Sequence, residues 1–149
     1  MKFPLRPVEQ QGGKENFGSI VYETTFENYS PGIESFTLPA QAPALKEGQE
    51  YEWEVQVKCS DTNFSFIRGR IKRMLTDNAV LAAKLEEASI EDYPSILAEA
   101  GVWYDSLATV SELRRANPEE SFWTEDWKEI LKRIGFEDLI AVPERQLNP

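Results

Sequence analysis

The sequence predicts an α+β chain in which antiparallel, β-sandwich-like strands are followed by a three- to four-helix segment. Three observations carry that expectation. Apolar and polar residues alternate without a fault from Tyr51 to Cys59, helical periodicity takes over after about residue 76, and proline and glycine punctuate the first half.

In the alternating stretch Tyr51, Trp53, Val55, Val57 and Cys59 share one face while Glu52, Glu54, Gln56 and Lys58 share the other, the pattern of a half-buried strand. Beyond Ser60-Asp61-Thr62-Asn63, a second strand sets Ile67, Gly69 and Ile71 against Arg68, Arg70 and Lys72, so the two segments should form a hairpin. Centring its loop near Thr62 puts Trp53 opposite Ile71, Glu54 opposite Arg70 and Glu52 opposite Lys72. Such opposite-charge pairs contribute about 0.2–1 kcal/mol each, enough to bias a register but not to hold a fold.

Upstream, Ile20, Tyr22, Thr24 and Phe26 share one parity and predict a further strand. Ser30-Pro31-Gly32 has the composition of a type II turn, and a short strand from Ile33 to Leu38 should follow it. The stretch from Leu45 through Gly48 to Tyr51 resembles the corner before the penultimate strand of fibronectin type III and immunoglobulin-like sandwiches, where a tyrosine closes the turn. On that resemblance these are the last four strands of a sandwich of about seven. Three more do not fit into the sixteen residues before Phe17, so the sandwich is expected to be incomplete. Its open edges would leave a route to self-association, with Arg68, Arg70 and Lys72 as the charges that blunt one of them.

The second half has helical periods. Thr76-Asp77 should cap a helix through Ala88, on which Val80, Leu81, Ala83 and Leu85 form a mostly apolar side. Ser89-Ile90-Glu91-Asp92 is a near capping box, with aspartate in place of the usual glutamate, for a second helix. Counting from Gly101, Ser106 lies five residues on, Val110 nine, Leu113 twelve and Pro118 seventeen. A tetratricopeptide repeat places its small, apolar, small and proline residues at these intervals, and Ile90, Tyr93 and Leu97 occupy the first-helix core positions of the same frame. Gly101 would let two helices turn closely, small residues would let their axes approach, and Pro118 would end the second. Leu113 is larger than the usual alanine, and Pro94 stands where glycine is usual. A capping helix from Ser121 to Ile134 carries Trp123, Trp127, Ile130, Leu131 and Ile134, and Gly135 should stop it. The expected division is a flexible segment 1–16, strands over 17–75, helices over 76–142 and a flexible tail 143–149.

Composition narrows the chemistry. The 149 residues carry a net charge of −10, and the excess sits late: residues 1–75 have nine Lys/Arg against ten Asp/Glu, residues 76–149 seven against sixteen. Such a field repels phosphate backbones, so no nucleic-acid partner is expected. The absence of histidine removes serine–histidine and cysteine–histidine catalysis and the commonest zinc ligand. A single cysteine, Cys59, makes neither an internal disulfide nor a thiolate metal site. No run approaches the ~18 apolar residues of a membrane span, and Met1 to Gly13 lacks the apolar core of a secretion signal, so the chain as written is expected in the cytoplasm. Catalytic residues, cofactors and metals are therefore expected to be none.

Taken together, Tyr22, Pro31-Gly32-Ile33, Leu38-Pro39, Gly48, Tyr51-Glu-Trp53 and Cys59, followed by Gly101-Val-Trp-Tyr-Asp-Ser-Leu107, Leu113-Arg-Arg115 and Pro118, resemble the largely cyanobacterial domain-of-unknown-function 928 family. The resemblance runs from about Phe17 to Val142. Members of that family are typically longer at the start and look exported, with a second cysteine in the earlier region. The resemblance thus implies a periplasmic or cell-envelope protein in which Cys59 has lost its disulfide partner along with the missing strands. It implies no activity.

The residues with a functional reading are few. Trp103, Tyr104 and Asp105 could form a recognition patch with Arg114 and Arg115 as an anion contact, or they could pack and polarise their own helix. Trp123 and Trp127, four apart, suit either sugar stacking or, better, an ordinary buried stripe. Glu86, Glu87, Glu91 and Asp92 are more consistent with acidic helix ends than with a hydrolase's carboxylates. The expectation is a noncatalytic protein-interaction or assembly module with a protein partner. The alternative is a small-molecule or carbohydrate-binding domain that uses exposed tryptophans.

Overall fold

The computed structural model describes residues 1–60, 63–74 and 79–147. The chain divides into two compact units, Met1–Leu75 with Pro143–Pro149, and Thr76–Val142. The first holds the strands and the second the helices, a mixed α+β architecture. Among the described residues no helix is long and apolar enough to cross a membrane.

The strands are β1 (Lys2–Gln11), β2 (Lys14–Phe17), β3 (Tyr22–Thr25), β4 (Ile33–Ser35), β5 (Glu50–Lys58), β6 (Phe64–Lys72) and β7 (Glu144–Gln146). Five of them make an antiparallel sheet in the order β2-β1-β5-β6, with β3 also paired to β1. The first sixteen residues are therefore not a flexible segment. They supply the inner strand of the sheet, where Leu5 and Val8 are buried. The signal that sequence reading passed over is Gly12-Gly13: Gln11 pairs with Lys14, and both glycines lie at positive φ, 60° and 77°, as a two-residue I′ hairpin turn requires. Pro4 and Pro7 hide the strand, because proline has no N–H for a ladder. β1 accommodates Pro7 where its outer partner changes from β3 to β2. There the Pro7 carbonyl still accepts a hydrogen bond from Gly18 N at 2.9 Å.

The tail is not wholly loose either. β7 pairs in parallel with β4, Leu147 N donates to the Ser35 carbonyl at 2.8 Å, and the Leu147 side chain is buried. The expected strand Ile33 to Leu38 shortens to three residues in this small pair. Gly32 is not among the glycines at positive φ, so Ser30-Pro31-Gly32 does not form the expected type II turn. The corner at Tyr51 does close through its tyrosine, whose hydroxyl accepts a hydrogen bond from Lys46 N at 3.0 Å.

The β5–β6 hairpin forms two residues away from the expected register. Trp53 faces Gly69, Glu54 faces Arg68 and Glu52 faces Arg70. The expected loop centre near Thr62 lies outside the described residues. The shift keeps each glutamate opposite a cation, so charge pairing does not discriminate between the two registers. Packing does: the Trp53 ring lies across Gly69, where a Cβ would fall 2.9 Å from the indole nitrogen and closer still to its carbons. Ile71 opposite Trp53 would leave no such berth.

Alternation correctly divides the faces of β5 but not their exposure. Leu5 and Tyr51 are buried on the apolar face, where Phe36 meets Phe3, Tyr22 and Phe26 at ring separations of 5.0–5.9 Å. The charged face is covered as well, since Glu52 and Glu54 are each only 8% exposed. The cause is curl. Arg70 of β6 donates to Glu15 of β2 at 2.6 Å although β1 and β5 lie between them, a span of about 14 Å in a flat sheet. On the concave side Arg6 bonds Glu52 at 2.6 Å, Arg68 pairs with Glu54, and Arg70 also bonds Glu50 at 2.9 Å. Arg68 and Arg70 thus bind inward to carboxylates as well as occupying the edge strand.

The helices are α1 (Ala79–Glu87), α2 (Tyr93–Glu99), α3 (Trp103–Ala116) and α4 (Ser121–Arg133), followed by a 3₁₀ turn at Glu137–Leu139. The expected Thr76-Asp77 cap of α1 lies outside the described residues. Asp92 is the N-cap of α2 but makes no side-chain capping bond, and Ser89 donates its hydroxyl to the Asp92 carboxylate at 2.9 Å, so the capping box does not form. Gly101, at φ 77°, closes α2 as anticipated: Val102 N reaches the Leu97 carbonyl at 2.8 Å and Gly101 N the Ala98 carbonyl at 3.0 Å, a Schellman motif. Ser106 is fully buried and donates to the Pro94 carbonyl at 2.7 Å, so α2 and α3 approach where the small residue was expected. Trp123, Trp127 and Leu131 form the buried stripe of α4.

Two outcomes follow for the strand unit. Gly69→Ala should destabilise it by about 1–3 kcal/mol, through overpacking against Trp53, in urea unfolding followed by circular dichroism, while Ser65→Ala should be near neutral. Glu54 is held below the usual glutamate range, first by the hydrogen bond from Gln56 and then, against the opposing effect of burial, by Arg68. A carboxyl with a depressed folded pKa adds stability above its unfolded pKa and loses it as pH falls through the folded one. Glu54→Gln should therefore cost about 1 kcal/mol at neutral pH, Arg68 being half exposed, and the gap to wild type should close below about pH 4.

Candidate functional site

The sequence places Glu99 at the end of α2 and Asp126 and Glu129 in the middle and second half of α4, and the fold opens a groove of about 390 Å³ between these helices. From α2 come Pro94, Ser95, Ala98 and Glu99. From α4 come Asp126, Glu129, Ile130 and Arg133, and Trp103 at the start of α3 forms a wall. Pro94, Ala98, Ile130 and the indole provide an apolar lining, and the carboxylates form its rim.

Trp103 is there because the Schellman turn at Gly101 ends α2 and starts α3 two residues later, with Val102 as its N-cap. The indole is 40% exposed, whereas Trp123 and Trp127 are 2% exposed. The rim is electronegative. Burial first, then the Glu129 and Glu125 charges, pushes the Asp126 carboxyl above the usual aspartate range. Arg133 bonds Glu129 at 2.7 Å and Lys84 stands 3.9 Å from Glu99, but all four groups are more than half exposed, and pairs of that kind contribute little. A groove with an aromatic wall and three carboxylates suits a cationic side chain with an apolar stem.

The structure separates the residues proposed for one recognition patch. Trp103, Tyr104 and Asp105 begin α3 and are exposed, and Asp105 sits in the first turn where it favours the helix dipole. Arg114 and Arg115 end the same helix, about 16 Å further along its axis. Arg114 stacks over the Trp127 ring at 4.5 Å, which anchors α3 to α4. Of the five, Trp103 alone lines the groove. Asp126 and Glu129 were not anticipated, although their spacing of three, with Ile130 next to Glu129, marks one side of α4. What sequence reading could not supply was α2 facing them. Glu86, Glu87, Glu91 and Asp92 are exposed at the end of α1 and the start of α2 and contribute nothing to the groove.

Trp103 should account for most of the solvent-accessible tryptophan emission. Trp103→Phe is expected to remove the larger part of acrylamide quenching and leave a blue-shifted, shielded spectrum, measured by Stern–Volmer titration.

The strand order, the Gly101 turn and the Trp103 groove can be set beside known proteins. The family model described as Domain of Unknown Function (DUF928) matches residues 1–144, so the likeness takes in the β1–β2 hairpin ahead of Phe17. No curated protein matches, and no solved structure does. Covering nearly all of both units, that match establishes that the chain belongs to the DUF928 family.

Proposed function

We propose that the protein is a noncatalytic interaction module whose helical unit, built like a tetratricopeptide hairpin with a capping helix, captures a basic segment of a partner protein. The observation that carries this reading is the groove itself: an exposed indole beside Glu99, Asp126 and Glu129, on a unit whose residues 76–142 hold six Lys/Arg against fifteen Asp/Glu. A lysine or arginine of the partner would lay its stem along Ala98 and Ile130 and its charge against Trp103 and the rim. A cation over an indole contributes about 0.5–2 kcal/mol, more as water is excluded, and the surrounding acidic field raises the encounter rate. The runner-up, a small-molecule or carbohydrate site, would use the same indole. It loses the Trp123–Trp127 pair it relied on, because both rings are interior.

The test is fluorescence anisotropy with a labelled hexapeptide of alternating leucine and arginine. Binding should weaken with salt, fall about tenfold or more in Trp103→Ala and in the double variant Glu99→Gln/Glu129→Gln, and be absent for the leucine–glutamate counterpart. Equal binding by wild type and Trp103→Ala, or none at millimolar peptide, would sink the proposal.

A further inference from the structure

The outer edge of β6 carries an observation that the groove does not use. The strand ends the sheet order, and it pairs with β5 without a bulge from Glu50–Lys72 to Lys58–Phe64. Its other edge therefore presents a long row of main-chain donors and acceptors to solvent. Proteins blunt such edges with proline, bulges, short strands or free charges. β6 has no proline and no bulge and runs nine residues, and Arg68 and Arg70 are drawn inward onto Glu54, Glu15 and Glu50. The edge instead exposes large apolar side chains, with Phe64 52%, Phe66 58% and Ile67 65% accessible.

We infer that β6 pairs antiparallel with β6 of a second copy of this chain, about a twofold axis through Ile67. The pattern of the strand argues for a second copy because the strand is complementary to itself. Centred on Ile67, the pairing sets Phe66 opposite Arg68 of the second copy and Phe64 opposite its Arg70, Ile67 against Ile67, and Ser65 against Gly69. Each exposed ring lies along the aliphatic stem of an arginine whose charge is already held inward by Glu54, or by Glu15 and Glu50. Moving the axis to Arg68 would set like charges directly opposite each other, which is destabilising. Moving it to Phe66 leaves Arg70 facing residue 62, beyond the strand, and shortens the ladder. The Ile67 register alone uses the whole stretch Phe64–Arg70 without a like-charge pair.

The full-length chain is examined by sedimentation equilibrium over a concentration series. Wild type should show reversible dimerisation, and Ile67→Lys should raise the dissociation constant by about tenfold or more with little change in the circular dichroism melt, because Ile67 is 65% exposed. In a Cys59→Ser background, Ile67→Cys should oxidise to a covalent dimer, since residues directly opposite bring their Cβ atoms to about 4.5–5.5 Å. Ser65→Cys should not. A monomer at several hundred micromolar, a dimer indifferent to Ile67→Lys, or equal crosslinking through Ser65→Cys would each overturn the inference. None of these outcomes bears on peptide capture at Trp103.

Discussion

Strand β5 has hydrogen-bonding groups on both edges, and burying them unpaired would cost more than any side-chain contact in the strand unit returns. β6 satisfies one edge through the hairpin. The other is satisfied by β1, the first strand of the chain, and the rest of the sheet depends on that long-range pairing. β1 also organises β2 and β3, which take successive halves of its outer edge. Its prolines are tolerated because Pro7 falls at the handover between those partners. Gly18 sits against Pro7 so closely that a Cβ there would come within 2.7 Å of the proline ring.

Curling this sheet puts its polar side on the inside. A flat sheet with Glu52 and Glu54 on one face would leave them solvated, whereas the curled one reduces both to 8% exposure and must then neutralise them. Arg6 does so for Glu52 and Arg68 for Glu54, from the two flanking strands, and Arg70 links β6 to β2 across the concavity. Arg68 and Arg70 are therefore explained by folding, and their charges are turned inward instead of guarding the strand's outer edge.

In the helical unit the charge balance runs the other way. Its carboxylates greatly outnumber its cations, and those lining the α2–α4 groove are met only by exposed, weak pairs. Packing demands explain Trp123, Trp127, Val110 and Ser106, all buried, and the stacking of Arg114 on Trp127. They do not explain an indole left 40% open beside three acids. That contrast, between tryptophans sealed in the stripe of α4 and one presented at the start of α3, gives the groove its chemical character.

The sequence by itself determined the local pieces: the alternation of β5, the partition of its faces, the Gly101 and Gly135 helix stops, the buried stripe of α4 and the excess of acid in the helices. These depend on period and on residues within a turn of one another, which a linear reading captures. Tertiary structure decided the rest. It recruited Lys2–Gln11 despite two prolines, because β5 needed a second partner; it chose the hairpin register by the fit of Trp53 over Gly69, where charge pairing was indifferent; and it turned the polar face inward. The groove belongs to the same class, since Trp103 was legible as an exposed aromatic candidate, but Asp126 and Glu129 joined it in one groove only when α4 packed against α3 and so came to face α2. Contacts between residues distant in the chain are set by which backbone edges and side-chain shapes can be satisfied together, and no local period encodes that.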